Sequence, residues 1–304
     1  MAFGAFASTD VSAEPAPRRR SPIVLLLLLP GTIYLALTYV APLVSLVLTS
    51  LMAPSPTFDI GQYVYSTNLA NYANAFTQYG EILARSFGFA LMATILALVL
   101  GYPLAYFIGV TLRTAPLLQS LALVLVIAPF FISFLLRTLA WKQIFSDEGP
   151  VLGVLGAIGL AGPDTHLTGT AFTVVFGLTY NFLPFTVLPI YASLERLDLR
   201  YLEAGSDLYA SRTSTFLRIT LPLSMPGVVS GTLLTFIPAT GDYINASPSF
   251  LGGPSTAMIG NVIEQNFLAT QNYPIAAAMS IILMIAILIP VALYVRFSKT
   301  EDLL

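Results

Sequence analysis

Six apolar stretches of this chain contain no Asp, Glu, Lys or Arg: 21–58, 86–112, 114–136, 167–194, 219–241 and 265–295. A helix needs about 20 mostly apolar residues to cross ~30 Å of hydrocarbon, and every one of these stretches is long enough. Span cores are expected at 23–51, 86–110, 115–136, 170–194, 222–241 and 274–295. Composition agrees, because only 9% of the 304 residues are charged and 56% are hydrophobic. Soluble domains carry roughly 25% charged residues. So little polar surface cannot cover a globule in water, and the expected fold class is an all-α integral membrane protein with six transmembrane helices.

The first stretch imitates a signal peptide, since Arg18, Arg19 and Arg20 precede an apolar run. That run continues to Leu51, beyond the roughly 7–15 residues of a signal-peptide core, and has no obvious small-residue cleavage site at its end. The sequence therefore predicts an uncleaved first helix within 21–58, preceded by a disordered tail over 1–20.

Orientation follows from Lys and Arg, which accumulate on the cytoplasmic side of membrane proteins. Six spans put both termini on one side. That side collects Arg18, Arg19, Arg20, Arg113, Arg196, Arg200, Arg212, Arg218, Arg296 and Lys299; the other holds Arg85, Arg137 and Lys142. The asymmetry predicts N-in and C-in. It makes 195–221 and a short tail at 296–304 cytoplasmic, and 52–82, 137–168 and 242–273 external. Segment 149–160 is too short to span and is expected on the outer surface or against helix ends. Arg85 lies near a helix end where it can snorkel.

Several function classes are excluded. There is no cysteine, hence no disulfide and no thiolate metal site. The single histidine, His166, is read as a polar loop residue. A net charge of −2 offers no basic field for nucleic acid. No GxxxxGK[ST] loop cradles ATP phosphates, and neither HExxH nor Gly-x-Ser-x-Gly is present. No ionisable residue falls mid-span, where a proton- or ion-coupled carrier keeps its titrating groups. Work done by such a chain must be driven from outside the bilayer.

The charge is concentrated in one loop. Residues 195–218 hold eight charged side chains: Glu195, Arg196, Asp198, Arg200, Glu203, Asp207, Arg212 and Arg218. Leu199, Leu202, Tyr209 and Phe216 punctuate them, and Leu199 and Leu202 share a helix face. Small residues (Ala204, Gly205, Ala210) permit close backbone approach. Pro222 and Pro226 open the next span. Joining two helices takes about 2–8 residues, so a loop of this length with a mixed face points to two short helices that dock a soluble partner.

The order Glu203-Ala204, Ala210, Phe216, Ile219, Leu221-Pro222, Pro226-Gly227 resembles the cytoplasmic "EAA" motif of permease subunits of ATP-binding-cassette importers. The resemblance implies the type I importer permease fold of a bacterial cytoplasmic (inner) membrane. It implies a coupling helix that rests in a groove of a separate ATPase, with Glu203, Ala204, Gly205, Asp207, Tyr209, Ala210, Arg212, Phe216, Leu221 and Pro222 forming the docking loop. Two departures stand out. Gly205 replaces a usual alanine. Tyr209 replaces the family's glycine, which would permit positive φ at the turn; tyrosine does so only with strain. Either the turn here has ordinary φ or Gly205 provides some of the flexibility.

Further stretches (NYANAF at 71–76, RSFGFA at 85–90, GYPLAY at 101–106, APFF and RTLAW across 128–141, 180–198 and 236–267) resemble the subgroup serving spermidine and putrescine. They place a permease core at 70–295. The implied partners are two ATPase subunits, a second permease subunit, an external solute-binding protein and the lipid bilayer. ATP and Mg would sit on the ATPase, with no cofactor on this chain. Other small solutes (opine, phosphonate, thiamine or iron type) remain open, and a passive channel or membrane scaffold is the rival class.

Helix-breaking prolines, Pro184 and Pro189 in the fourth span and Pro238 in the fifth, suggest that these spans line the translocation path. Tyr180, Asn181 and Asp242 are expected to face it beside Pro184, with Asp242, Tyr243 and Glu264 near an outer mouth that would attract a polyamine.

Overall fold

The computed structural model describes residues 22–55, 61–162 and 164–297. The expected N-terminal tail, including Arg18–Arg20, and residues 298–304 of the expected C-terminal tail, including Lys299, lie outside the described residues; Arg296 belongs to the last helix. The described residues divide into two compact units at Leu46–Val47.

In the first unit, α1 (Pro22–Leu35) passes through a π-helical turn, Ala36–Val40, into the start of α2 (Ala41–Ser50). The side chains from Leu26 to Ser45 are all exposed, as suits a helix whose surroundings are hydrocarbon.

The second unit opens with a two-residue antiparallel pair, β1 (Ala53–Pro54) and β2 (Tyr63–Val64), with Ala53 opposite Val64. Then comes α3 (Ala70–Tyr106), which has 37 residues. At 1.5 Å per residue it is ~56 Å long, well beyond the hydrocarbon. The expected core began at residue 86. The preceding Asn, Gln and Thr residues look like loop, yet they continue the helix outside the apolar zone, where polar side chains cost nothing.

A π-turn (Phe107–Thr111) and a 3-10 turn (Leu112–Thr114) lead into α4 (Pro116–Ile127). The third span differs from the expected 115–136. Its helix ends in a 3-10 turn at Ala128–Phe131, Ile132 is extended (φ −102°, ψ 138°), and α5 (Phe134–Phe145) leaves at 96° together with α6 (Pro150–Ala157). Pro129 supplies no amide to the helical ladder and disfavours continuation. The described residues thus contain five unbroken spans, or six if this bent pair is one.

The core forms where α3, α7 (Ala171–Glu195) and α10 (Leu221–Thr240) cross. Helix α3 offers Ala90, Ala93, Ala97, Gly101 and Ala105, all buried, as a stripe of small residues. Such stripes let membrane helices approach closely, because van der Waals packing replaces the hydrophobic drive. A Cβ on Gly101 would lie 3.2 Å from Thr186 Cγ2. Against the stripe pack Val174, Leu178, Phe182, Val187 and Ile190 of α7. On α10, a Cβ on Gly227 would stand 2.5 Å from the Pro189 carbonyl oxygen, and one on Gly231 2.9 Å from that of Thr186. These glycines, four apart, set the α7–α10 crossing. Thr186 and Thr235 share a buried hydrogen bond of 2.6 Å beside it.

Between α7 and α10 lie α8 (Arg200–Asp207) and α9 (Arg212–Thr215), then a π-turn, Phe216–Thr220. After α10 the chain folds back tightly. Gly169 N–H donates to the Leu251 carbonyl (2.9 Å), as does Thr173 Oγ1 (3.0 Å). Helix α11 (Ile259–Glu264) and α12 (Tyr273–Phe297) complete the bundle, with Ile259, Val262, Ala278 and Met279 packed on Ala75.

Candidate coupling loop and polar cluster

The two helices expected within 195–218 are present. Asp198 Oδ1 accepts the Arg200 amide (3.0 Å) at the start of α8, which removes one unpaired helix-end donor. Gly205 is buried: a Cβ there would already touch Thr215 (3.2 Å) and Ile219 (3.3 Å), and the close approach locks α8 onto the following helix. Glu203, Ala204 and Asp207 lie on the exposed side of α8.

The turn resolves the question raised by Tyr209. The Ala210 amide donates to the Gly205 carbonyl (3.0 Å) and the Tyr209 amide to that of Ser206 (2.9 Å). This six-to-one and five-to-two pair is the Schellman helix ending, whose penultimate residue is left-handed. That residue is Tyr209, at φ +56°. Neither expected alternative holds: the φ is not ordinary, and Gly205 is helical. Tyrosine accepts the glycine conformation at ~1 kcal/mol. Its ring and that of its neighbour project outward, Tyr209 98% and Leu208 81% exposed. Ser211 then caps α9, accepting the Ser214 amide (3.2 Å), with Arg212 exposed beside it.

The loop is held on its return side. Phe216 packs edge-on against Tyr102 (5.4 Å) and Tyr106 (6.3 Å) of α3, and Tyr102 Oη shares a hydrogen bond with Ser224 Oγ (2.7 Å). Leu221 is half-buried and Pro222 exposed at the start of α10. On its outgoing side, Arg113 donates to the carbonyls of Glu195 and Leu197. Sequence reasoning missed Arg113 and Tyr102. The positive-inside rule grouped Arg113 with the loop it contacts but gave it no partner.

Past the opposite end of α10 sits a buried polar cluster. Asn181 Nδ2 donates to Thr138 Oγ1 (3.2 Å) and Asn245 Oδ1 (3.0 Å). Asn245 in turn donates from its amide to Asp242 Oδ1 (2.7 Å) and from Nδ2 to Asp242 Oδ2 (3.1 Å). Burial pushes the Asp242 carboxyl up to about 6, against the hydrogen bonds from Asn245. Next to Thr138, Arg137 is buried with its guanidinium 5.6 Å from the centre of the Phe134 ring; its Nε and Nη1 have no partner among the described residues.

The residues expected on the path differ in burial. Asn181 is 1% exposed and Asp242 7%, enclosed by this chain alone with no partner subunit needed. Both point into the protein, because a buried amide or carboxylate is stable only with hydrogen bonds and these find theirs inside. Pro184 is buried as well. Tyr180 packs against Trp141 (5.2 Å between ring centres) and borders a crevice of ≈ 390 Å³ whose walls, Met92, Leu96 and Phe176 among them, are almost wholly apolar. Tyr243 is 47% exposed and Glu264 half-exposed at the end of α11. His166 is an exposed loop residue beside Asp147 (2.9 Å).

Apolar spans joined by a long polar loop, anchored at both ends and exposed at its tip, define a multi-pass membrane protein. Residues 101–300 match the family described as "binding-protein-dependent transport system inner membrane component". The chain belongs to this family: it is a multi-pass inner-membrane permease subunit of a binding-protein-dependent ABC importer. ATP is bound by a separate ATPase subunit, so this chain is not itself the enzyme.

Among its relatives, the spermidine/putrescine transport system permease protein PotB of Haemophilus influenzae is 34% identical over 238 residues, 78% of this chain and 82% of that one. PotB of Escherichia coli (strain K12) is 38% identical over 221 residues, 73% and 78% of the two chains. The inner membrane ABC transporter permease protein YdcU of the same organism is 29% identical over 261 residues, 82% and 77%. Of solved structures, a bacterial ABC transporter that imports the acidic polysaccharide alginate aligns with 93% of this chain and 96% of its own at TM-score 0.65 and 18% identity. The MetNI methionine ABC transporter aligns with 72% and 93% at TM-score 0.55 and 17% identity. At such identities these two establish the fold alone.

Proposed function

We propose that this subunit carries polyamines, spermidine or putrescine, and that it does so with two ATPase subunits, a second permease chain and an external binding protein. The observation that carries the coupling is the 195–221 loop: secured at both ends, it presents Leu208 and Tyr209 bare at the tip. Exposed aromatic and aliphatic residues on a rigid support are what a partner's groove buries. The charge asymmetry puts this tip in the cytoplasm, where an ATPase resides. The solute assignment is supported by the 34–39% identity to PotB proteins. Tyr243 and Glu264 are the groups left to receive a cation at the outer mouth.

The test is ATP-dependent uptake by the assembled importer in proteoliposomes, with labelled spermidine and putrescine. Uptake of either, saturable and dependent on the binding protein, is expected. Uptake of neither alongside uptake of another solute overturns the polyamine assignment. The variant Glu203→Ala is expected to insert at normal yield yet lower ATPase association or coupling about tenfold, the size of a typical coupling term. Undiminished transport by that variant removes Glu203 from the docking loop.

A further inference from the structure

We propose that Arg113 is a positioning residue that ties the coupling loop to the α3–α4 hairpin, so that movement of the loop is delivered to that hairpin and not to α7 alone. This rests on the reading of 195–221 as the loop that receives the ATPase's motion.

Arg113 lies in the 3-10 turn Leu112–Thr114, at the bend of the hairpin. Its Nη1 donates to the Leu197 carbonyl (2.7 Å) and its Nη2 to the Glu195 carbonyl. Glu195 is the last residue of α7, where the carbonyls have no partner within the helix and carry the negative end of its dipole; Leu197 lies just past the helix end, in the segment that leads into the loop. One guanidinium therefore grips the residues from which the loop departs, through two charge-assisted bonds in a fixed fork.

Three further contacts seat the same joint. A Cβ on Gly109 would lie 3.3 Å from Leu194 Cβ, so the π-turn backbone rests directly on α7. Gln119 Nε2 of α4 reaches Tyr191 Oη at 3.4 Å. Leu194 and Leu197 are buried beneath. At the loop's return, Phe216 sits between Tyr102 and Tyr106. Both ends of the loop are thus joined near the same end of α3, while the side chains at its tip, Leu208 and Tyr209, stand exposed. A push on the tip must turn the loop as a unit, and the element it is braced on is α3, the longest helix described and the central one. Of the two braces, the one at Phe216 is ring packing joined by a single neutral hydrogen bond, Tyr102 to Ser224. The one at Arg113 is directional and resists sliding.

The experiment uses the whole importer in proteoliposomes and reads two quantities: ATPase retained with the permease, and solute imported per ATP hydrolysed. The second ratio does not depend on how much protein folds. The wild-type assembly is read first; failure of its ATPase to co-purify would defeat the docking reading itself, separately from Arg113. In Arg113→Ala, ATPase retention is expected at the wild-type level and the import ratio about tenfold lower. Arg113→Lys keeps the charge at the helix end but loses the two-pronged fork, and its ratio is expected about threefold lower. The Lys variant also serves if the Ala variant fails to fold. An unchanged ratio in either variant overturns the proposal. So does loss of the ATPase at normal permease yield, which would mean that Arg113 only shapes the docking surface.

Discussion

At the scale of single residues, the titration of Asp242 offers the sharpest handle. The acid is buried with no cation in reach of its oxygens among the described residues, and its pKa rises from 3.8 to about 6. Well below pH 3.8 the carboxyl is protonated folded or unfolded, and burial costs nothing. As the pH climbs to about 6 the unfolded chain releases the proton while the folded chain keeps it, so stability falls. Above that the cost is constant at ~3 kcal/mol. Asp242→Asn removes this slope. Melting of the purified protein in detergent should show the wild type gaining on the variant as pH drops from 7 to 4. Parallel curves would show that Asp242 does not titrate in that window. Asp242 just beyond a span end and Asn181 in mid-span were visible in the sequence as isolated polar residues, but the hydrogen bonds that bury them were not. The partners of Asn181 are 43 and 64 positions away, and no local pattern announces such a distant bond. Tyr209 is the converse case. Its departure from glycine is plain in the sequence, but its φ is not, because the Schellman bonds of α8 impose the left-handed state on whatever stands there.

Among the helices, the α7–α10 crossing depends on the absence of side chains. The Gly227 position faces the Pro189 carbonyl and Ser193 Oγ, both 2.5 Å from where a Cβ would be. An alanine must displace backbone, at roughly 1–3 kcal/mol. Leucine cannot be housed without parting the helices, which also breaks the Thr186–Thr235 bond and unseats the return of the coupling loop at Ser224. Gly227→Leu is therefore expected to lower the melting temperature markedly and to move much of the protein into aggregate on gel filtration, with Gly227→Ala intermediate. A leucine variant that melts like the wild type would place the crossing elsewhere. Gly227 and Gly231 form a spacing readable in advance as a helix-packing pair, whereas the two element boundaries that departed from expectation were not readable. Helix α3 starts at Ala70 because amide side chains tolerate helix outside the hydrocarbon, and apolarity marks only the buried part of a helix. The break at 132–133 falls inside a run that is apolar throughout, so hydropathy passes across it; only Pro129 hints at a bend.

For the molecule as a whole, the spans were legible because hydrocarbon imposes length and apolarity on each one separately. Which side faces the cytoplasm is a collective property that no single span fixes. It follows from the Arg and Lys residues acting together, and the mechanism depends on it, since an ATPase cannot reach a loop on the far side. The protein has no cysteine, so a single introduced thiol reports on its own site with no background. Ser206 is exposed on α8, and Ser249 is exposed in the segment between α10 and α11. With N-in and C-in topology, a membrane-impermeant maleimide added to intact cells that have been made permeable only at the outer membrane should label Ser249→Cys and spare Ser206→Cys. Opening the inner membrane should then expose Ser206→Cys. The reverse pattern would put the Leu208–Tyr209 tip outside, beyond the reach of any nucleotide-hydrolysing partner. Labelling of both before opening would mean a mixed insertion that ten Lys and Arg against three should forbid.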